Sequence, residues 1–302
     1  MVLQVEHLVA GTLGGFTSTL VLHPLDLLKV RFVVNEGKAV STRPQYANYW
    51  QATKAIVRAN GGVAALYQGV TPNVCAATIS WGSYFLLYNW LKTLMTEELH
   101  VQRLTPVHTM IAGFSAGSLT LLIANPFWVA KTRLCLQYEN QQRQYRGMLH
   151  CLAAILRNEG LRGWYKGFLP GLVGTSHGAI QFTAYDELKR RFGTTQQQPA
   201  QTSFRGILEH LVFAAVSKMF AAASTYPYQV VRMRLQDHHV QYKGVIDVIA
   251  KTLRGEGLVG FYKGLGVSLI RVTPATCITF LVYEESMTFF RRRREKRRKL
   301  QS

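Results

Sequence analysis

Three stretches of this chain, about a hundred residues apart, carry the same proline-led charge pattern, and that recurrence limits the fold more than any other feature. Pro24-Leu-Asp26-Leu-Leu-Lys29-Val-Arg31 returns as Pro126-Phe-Trp128-Val-Ala-Lys131-Thr-Arg133 and again as Pro227-Tyr-Gln229-Val-Val-Arg232-Met-Arg234. A second marker follows each copy: Gly62-Val-Ala-Ala-Leu-Tyr67-Gln68-Gly69, then Glu159-Gly160-Leu-Arg-Gly-Trp-Tyr165-Lys166-Gly167, then Glu256-Gly257-Leu-Val-Gly-Phe-Tyr262-Lys263-Gly264. Two patterns, each occurring three times in register, define repeats at 1–98, 99–198 and 199–290, with a basic tail at 291–302. Each repeat reads as a long helix ending after the proline motif, a loop, a short amphipathic helix and a second long helix. The short helices are expected near 46–60, 145–158 and 242–255.

The long helices are suited to lipid. Stretches 7–25, 69–91, 107–130 and 167–185 contain no Asp, Glu, Lys or Arg, and each is long enough to cross a hydrocarbon core of about 30 Å. Two more, 206–235 and 265–290, are interrupted by Lys218 and Arg271. An all-α membrane protein with six spans is therefore expected. Mean hydropathy is only +0.04, because the spans are rich in Gly, Ser, Thr, Asn and Gln. That composition suits helices with one face on lipid and one on a polar cavity. Ile246, Ile249 and Leu253 form an apolar stripe on the third short helix, so these helices are expected to lie along the membrane surface.

The formal net charge is +19, and the run from Arg291 to Lys299 is its densest part. Such a run suits either nucleic acid or anionic lipid headgroups. No aromatic residue interleaves with the final charges, so headgroups are expected and nucleic acid is not. Cys75, Cys135, Cys151 and Cys277 form no Cys-x-x-Cys pair and read as small core fillers. Without a phosphate-binding loop, nucleophile elbow or His/Cys cluster, the chain reads as a non-enzyme with no catalytic residue, metal or cofactor. An N-terminus without an Arg-rich transit segment leaves any organelle signal internal.

Gly11-x-x-x-Gly15 and Gly113-x-x-x-Gly117 recur before their prolines, a spacing that lets membrane helices approach closely. The third copy is Ala214-x-x-x-Lys218. A lysine inside a span is costly unless it faces water or a partner. Lys218 lies about 13 Å along the helix from Pro227, too deep to reach the interface, and is expected to face the cavity.

The tripled Pro-x-acid-x-x-basic-x-basic and acid-Gly-x4-aromatic-basic-Gly signatures resemble the mitochondrial carrier family over roughly residues 6–290. The resemblance implies a monomeric six-helix bundle with pseudo-threefold symmetry, resident in the mitochondrial inner membrane as a multi-pass protein working by alternating access. It implies that Pro24, Pro126 and Pro227 kink the odd-numbered helices. The acid two residues after each proline then pairs with the base five after the next repeat's proline. Here that gives an Asp26–Lys131 ion pair, a Trp128–Arg232 cation–π contact and a Gln229–Lys29 hydrogen bond. Packing alone is the other reading of Trp128. In such a weak gate, exchanging Asp26 and Lys131 should retain more transport than either single reversal. The opposite, cytoplasmic gate falls at Lys92, Asp186, Lys189 and Glu284, with Asn89 and Met287 breaking the aromatic-acid-x-x-basic pattern unless Glu187 or Glu285 substitutes. Cardiolipin headgroups are implied near Gly69, Gly167 and Gly264, although Gln68 and Gly61 depart from the pattern in the first copy.

Symmetry puts a substrate site seven residues past each closing glycine, at Ala76, Gly174 and Arg271, expected at one height in the cavity. Arg271 would hold an anionic group, with space opposite for a bulky one and Lys218 as a second cation. Trp128 and Trp81 would offer flat surfaces. Gln181 and His177 would offer hydrogen bonds; the other readings are a helix–helix hydrogen bond for Gln181 and a packed histidine for His177. Within the resemblance, Trp128 points to the branch carrying pyrimidine nucleotides, NAD, folate and FAD. Residues 225–232, 174–182 and 270–275 point to FAD or folate as the small anionic cargo. A pyrimidine-nucleotide or NAD carrier, a proton leak and a basic helical-repeat scaffold are the alternatives. The four uncharged stretches oppose the scaffold.

Overall fold

A computed structural model describes residues 2–35, 44, 46, 48–59, 62–97, 105–138, 142–193 and 204–301. The helices run α1 (Val2–Val33), α2 (Tyr49–Ala59), α3 (Val70–Glu97), α4 (Pro106–Cys135), α5 (Met148–Trp164), α6 (Phe168–Val173), α7 (Ser176–Phe192), α8 (Phe204–Ser224), α9 (Tyr226–Gln236), α10 (Val245–Glu256) and α11 (Leu265–Gln301). Six rods result: α1, α3, α4, α6 with α7, α8 with α9, and α11. Residues Val107–Cys135 and Leu258–Arg293 are apolar enough to span a membrane by composition alone. The other rods carry more polar side chains. Pro24 and Pro126 sit inside continuous helices. The third odd-numbered rod instead breaks at Thr225, with Pro227 in the first turn of α9, a position where its missing N–H costs nothing.

The rods close into a ring: α1 on α3, α3 on α4, α4 on α6, α7 on α8, α8 on α11, and α11 back on α1. The sequence expectation for the packing glycines is corrected by one residue. A Cβ added at Gly11 or Gly15 would meet nothing within 4 Å, and one at Gly113 only Tyr84 Oη at 3.7 Å. The close approach is at Gly14, where a Cβ would lie 2.7 Å from the Thr279 carbonyl oxygen. Its counterparts Ala116 and Ser217 are buried, as are Ala10 and Ala112 one turn earlier. The seam is thus rotated about 100° from the glycine pair, one residue's turn on a helix. Of the glycines singled out, Gly117 alone makes tight contact, 3.2 Å from the Thr175 methyl.

The short helices α2, α5 and α10 bury Ala52 and Ile56, Cys151 and Ile155, and Val248 and Thr252 respectively. Ile246, Ile249 and Leu253 are exposed on the opposite side, an apolar outward face suited to lying on a membrane. The basic run prolongs α11 as helix to Gln301. Beyond Arg293 its side chains lie outside the described residues, as does Gly61.

A buried arginine seven residues after each proline ties each motif to the connecting segments. Arg133 bonds Glu159 through Nη1 at 2.5 Å and Nη2 at 2.8 Å, with Lys166 on the same carboxylate at 2.8 Å. Hydrogen bonding from Arg133, helped by Lys166, holds the Glu159 carboxyl down at about 2. Arg234 bonds Glu256 at 2.8 Å, with Lys263 at 3.0 Å. In the first repeat Arg31 instead donates to the Cys135 and Gln137 carbonyls at 3.1 and 3.0 Å and to Gln68 Oε1 at 3.4 Å, and lies over the Tyr138 ring at 5.1 Å.

Candidate functional site at the floor of the helix ring

Residues two and five after a proline lie on one helix face. The three motifs therefore present Asp26 with Lys29, Trp128 with Lys131, and Gln229 with Arg232 where the rods meet. Asp26 is 4% exposed. Its Oδ2 lies 3.6 Å from Lys131 Nζ, and Oδ1 lies 2.9 Å from Arg271 Nε. Arg271 Nε forms no aligned hydrogen bond, so that contact is one of charge. Asn73 Nδ2 donates to Asp26 Oδ2 at 3.2 Å and to His23 Nδ1 at 3.1 Å, while His23 Nε2 donates to the Gln68 carbonyl at 2.9 Å. Because a carbonyl only accepts, Nε2 carries the imidazole proton and Nδ1 is the acceptor. Lys29 donates to Gln229 Oε1 at 2.9 Å and Ser268 Oγ at 3.0 Å, and stands over the Tyr226 ring at 5.4 Å.

The Trp128–Arg232 contact expected from sequence does not form. Arg232 turns along α6 and donates to Asn125 Oδ1 at 3.2 Å. Trp128 Nε1 donates to Ser80 Oγ at 3.3 Å, and the cation over its ring is Lys131, at 5.2 Å. Gly167 and Gly171 leave α6 bare where the guanidinium lies, and the lysine three residues on is the nearer cation for the indole.

The symmetry-related positions are not an open pocket. Ala76 is fully buried. Gly174 is covered by Tyr228, whose hydroxyl would sit 2.6 Å from a Cβ there. Arg271 is held by Asp26. The space expected opposite Arg271 is filled by the Tyr228 ring. One turn nearer the gate the three repeats make matching contacts: Asn73 with Asp26, Ser268 with Lys29, and Gly171 beside the Arg232 guanidinium.

Lys218 makes no ion pair among the described residues and lines a groove with Thr276, Thr279, Phe280 and Tyr283 between α8 and α11. His177 Nδ1 lies 2.9 Å from Thr225 Oγ1, joining α7 to the start of α9. Gln181 makes no hydrogen bond among the described residues. Trp81 is 65% exposed and stacks on Phe85 at 5.8 Å. It points about 100° round the helix from Ser80, away from Trp128, so the two indoles do not share a surface.

At the opposite end, Lys92 lies over the Tyr88 ring of its own helix at 5.3 Å. Asp186, Lys189 and Glu284 form no ion pair among the described residues. Glu187 is engaged within α7 by Arg190 and Arg191 and so does not bridge repeats. The motif end is tied by charge, whereas the residues expected at the opposite gate form no ion pair between repeats among the described residues.

Sequence reasoning missed His23, Asn73, Asn125, Tyr228 and Ser268. The signal was present: His23 and Asn125 precede their prolines, and Asn73 and Ser268 stand four residues past the closing glycines. Among the described residues, one further group carries metal-ligand geometry, Asp237, His238 and His239, with ligand atoms within 4.8 Å of one another. Asp237 there also accepts from the His239 backbone N–H at 3.0 Å, as in an ordinary turn.

Among the described residues at the floor, Lys131 and Arg271 meet one carboxylate, Asp26, with Lys29 and Arg232 in the same layer, while Lys218 lies apart in the groove between α8 and α11. Such a site attracts anions and focuses them through low-dielectric walls. The family described as mitochondrial carrier protein matches residues 3–99, 102–196 and 204–294. The chloroplastic folate transporter 1 of Arabidopsis thaliana is 40% identical over 291 residues, covering 93% of this chain and 94% of that one. A mitochondrial FAD carrier protein of Saccharomyces cerevisiae is 33% identical over 300 residues, covering 92% and 95%. The mitochondrial nicotinamide adenine dinucleotide transporter 2 of Arabidopsis thaliana is 33% identical over 290 residues, covering 93% and 78%.

Proposed function

Because the chain belongs to the mitochondrial carrier family, and is thus a multi-pass membrane transporter and not an enzyme, we propose that its cargo is FAD, folates or both. The presence at the floor of four cations, Lys29, Lys131, Arg232 and Arg271, against one carboxylate among the described residues is the observation that carries this reading. Tyr228 and Trp128 add rings beside those charges, as a planar anion requires. The relatives' names supply folate and FAD as cargo of this kind, and NAD as the alternative; a pyrimidine nucleotide is the next. Alternating access would open the motif end by parting Asp26 from Lys131 and Arg271 while the opposite end closes.

The proposed address is the mitochondrial inner membrane, with the plastid envelope as the alternative that the chloroplastic relative raises. Cardiolipin at Gly167 and Gly264, where backbone N–H groups open helices, and a monomeric state belong to the same proposal. The deciding experiment is uptake into liposomes of labelled FAD, reduced folates, NAD and UTP, side by side. Saturable FAD or folate uptake, competed by the other, is expected. A preference for UTP or NAD, or proton flux without saturable cargo, would overturn it. Arg271→Ala is expected to abolish uptake, through the gate as much as through cargo binding.

A further inference from the structure

The interface between α6 and α9 differs from its two counterparts. Gly167, Gly171 and Gly174 fall at i, i+4 and i+7, on one helix face. The matching rows elsewhere are Gly69, Asn73, Ala76 and Gly264, Ser268, Arg271, each with side chains at the second and third positions where this one has bare backbone. Two side chains from α9 lie on that backbone. A Cβ at Gly174 would meet the Tyr228 hydroxyl at 2.6 Å and ring carbons at 2.7 and 2.8 Å. One at Gly171 would lie 3.5 Å from Arg232 Cζ, and one at Gly167 3.0 Å from Arg232 Cγ.

Among the described residues, Arg232 is also the floor guanidinium with no carboxylate beside it. Lys29 has two side-chain acceptors, and Lys131 and Arg271 share Asp26. Arg232 has Asn125 Oδ1 at 3.2 Å, no carboxylate among the described residues, and a buried Nε with no hydrogen-bond partner. A half-buried guanidinium with an unpartnered Nε and no acid beside it is costly to hold, and an incoming anion would relieve it.

We infer that Tyr228 and Arg232 form the cargo's recognition pair: the phenol stacks an aromatic ring of the cargo over the Gly174 floor, and the guanidinium takes the anion beside it. Resting on the proposed function, this deepens it by naming a cargo feature. The two side chains are one turn apart, about 6 Å along the helix, so ring and anion must be joined by a short spacer. The adenosine phosphate of a dinucleotide and the aminobenzoylglutamate end of a folate both have that form. The gate arginine thereby senses cargo directly: an anion on Arg232 competes with its bond to Asn125 of α4, loosening the contact between repeats two and three.

The test uses the purified full-length protein, with dissociation constants for FAD and for a reduced folate, and with competition by AMP, aminobenzoylglutamate, adenosine and pyrophosphate. Tyr228→Leu should weaken FAD or folate about tenfold, the scale of one lost aromatic stack, and Tyr228→Phe should not. Pyrophosphate should compete equally well against Tyr228→Leu and wild type, and lose its effect in Arg232→Gln. AMP competing better than aminobenzoylglutamate would assign the pair to the dinucleotide, and the reverse to the folate. Gly174→Ala, whose methyl would drive Tyr228 from its seat, should reproduce the leucine effect if the leucine variant proves unstable. Wild-type affinity in Tyr228→Leu or Gly174→Ala, or equal loss for pyrophosphate and FAD, would overturn the inference. Failure of wild type to bind either cargo would instead overturn the function it rests on.

Discussion

Repeat one and its two successors place their acids at opposite positions. Repeat one has Asp26 at the gate, while Arg31 at the lock rests on the Cys135 and Gln137 carbonyls and the Gln68 amide. Repeats two and three have Glu159 and Glu256 at the lock and only Trp128 and Gln229 at the gate. Glu159 is bound in two places to buried Arg133, and Glu256 is held by Arg234 and Lys263 together, charge-assisted bonds that hold their segments firmly, whereas Arg31 donates to carbonyls and an amide. The comparison teaches that the symmetric frame carries an asymmetric mechanism: repeat one supplies the charge that must part when the gate opens, and repeats two and three supply the fixed walls.

Four experiments press on that difference. The largest effect is expected at the gate. Sequence alone suggests that exchanging Asp26 and Lys131 retains more transport than either single reversal, but Asp26 also meets Arg271 at 2.9 Å, so a lysine at 26 would face a guanidinium. Liposome uptake by the double variant should stay about tenfold or more below wild type, because like charges in a buried layer repel strongly. Adding Arg271→Glu should raise it; full activity in the double variant would refute the three-way contact.

Next comes the lock, the arginine seven residues after each proline with its acceptors. Glu256→Gln removes the charged partner of Arg234, 1% exposed in its side chain, and should lower unfolding stability by about 3 kcal/mol, the cost of breaking a buried pair. Glu159→Gln should cost less, on the order of 2 kcal/mol, because Glu159 is partly solvated, at 28% exposed. Its carboxyl is lowered from 4.5 to about 2, so its stabilisation is complete above about pH 4.5 and is lost as pH falls toward 2. Melting in detergent should therefore drop through that window more in wild type than in Glu159→Gln. A parallel fall in both would remove the carboxylate from the account. The smallest effect belongs to Gln68→Ala, below about 1 kcal/mol, since Arg31 keeps its carbonyls.

Much of the frame was legible along the chain. The tripled motifs located all six rods and the short helices between them, because a helix face is written in residues three and four apart. They also located Asp26, Lys29, Lys131 and Gln229 at one layer. Three things were not legible. The packing seam runs through Ala10 and Gly14 rather than Gly11 and Gly15, a rotation that spacing between small residues does not specify. Arg271, expected free for cargo, spans to Asp26 of another repeat. Tyr228 fills the space that two small residues, Ala76 and Gly174, suggested was empty.

By itself, then, the sequence determined the repeat, the number and order of the helices and the kinds of charge facing the centre, since these follow from local periodicity. Only the tertiary structure decided which cation meets which acceptor. Lysine and arginine side chains are long enough to reach several partners within one layer, and small rotations of six packed helices select among them.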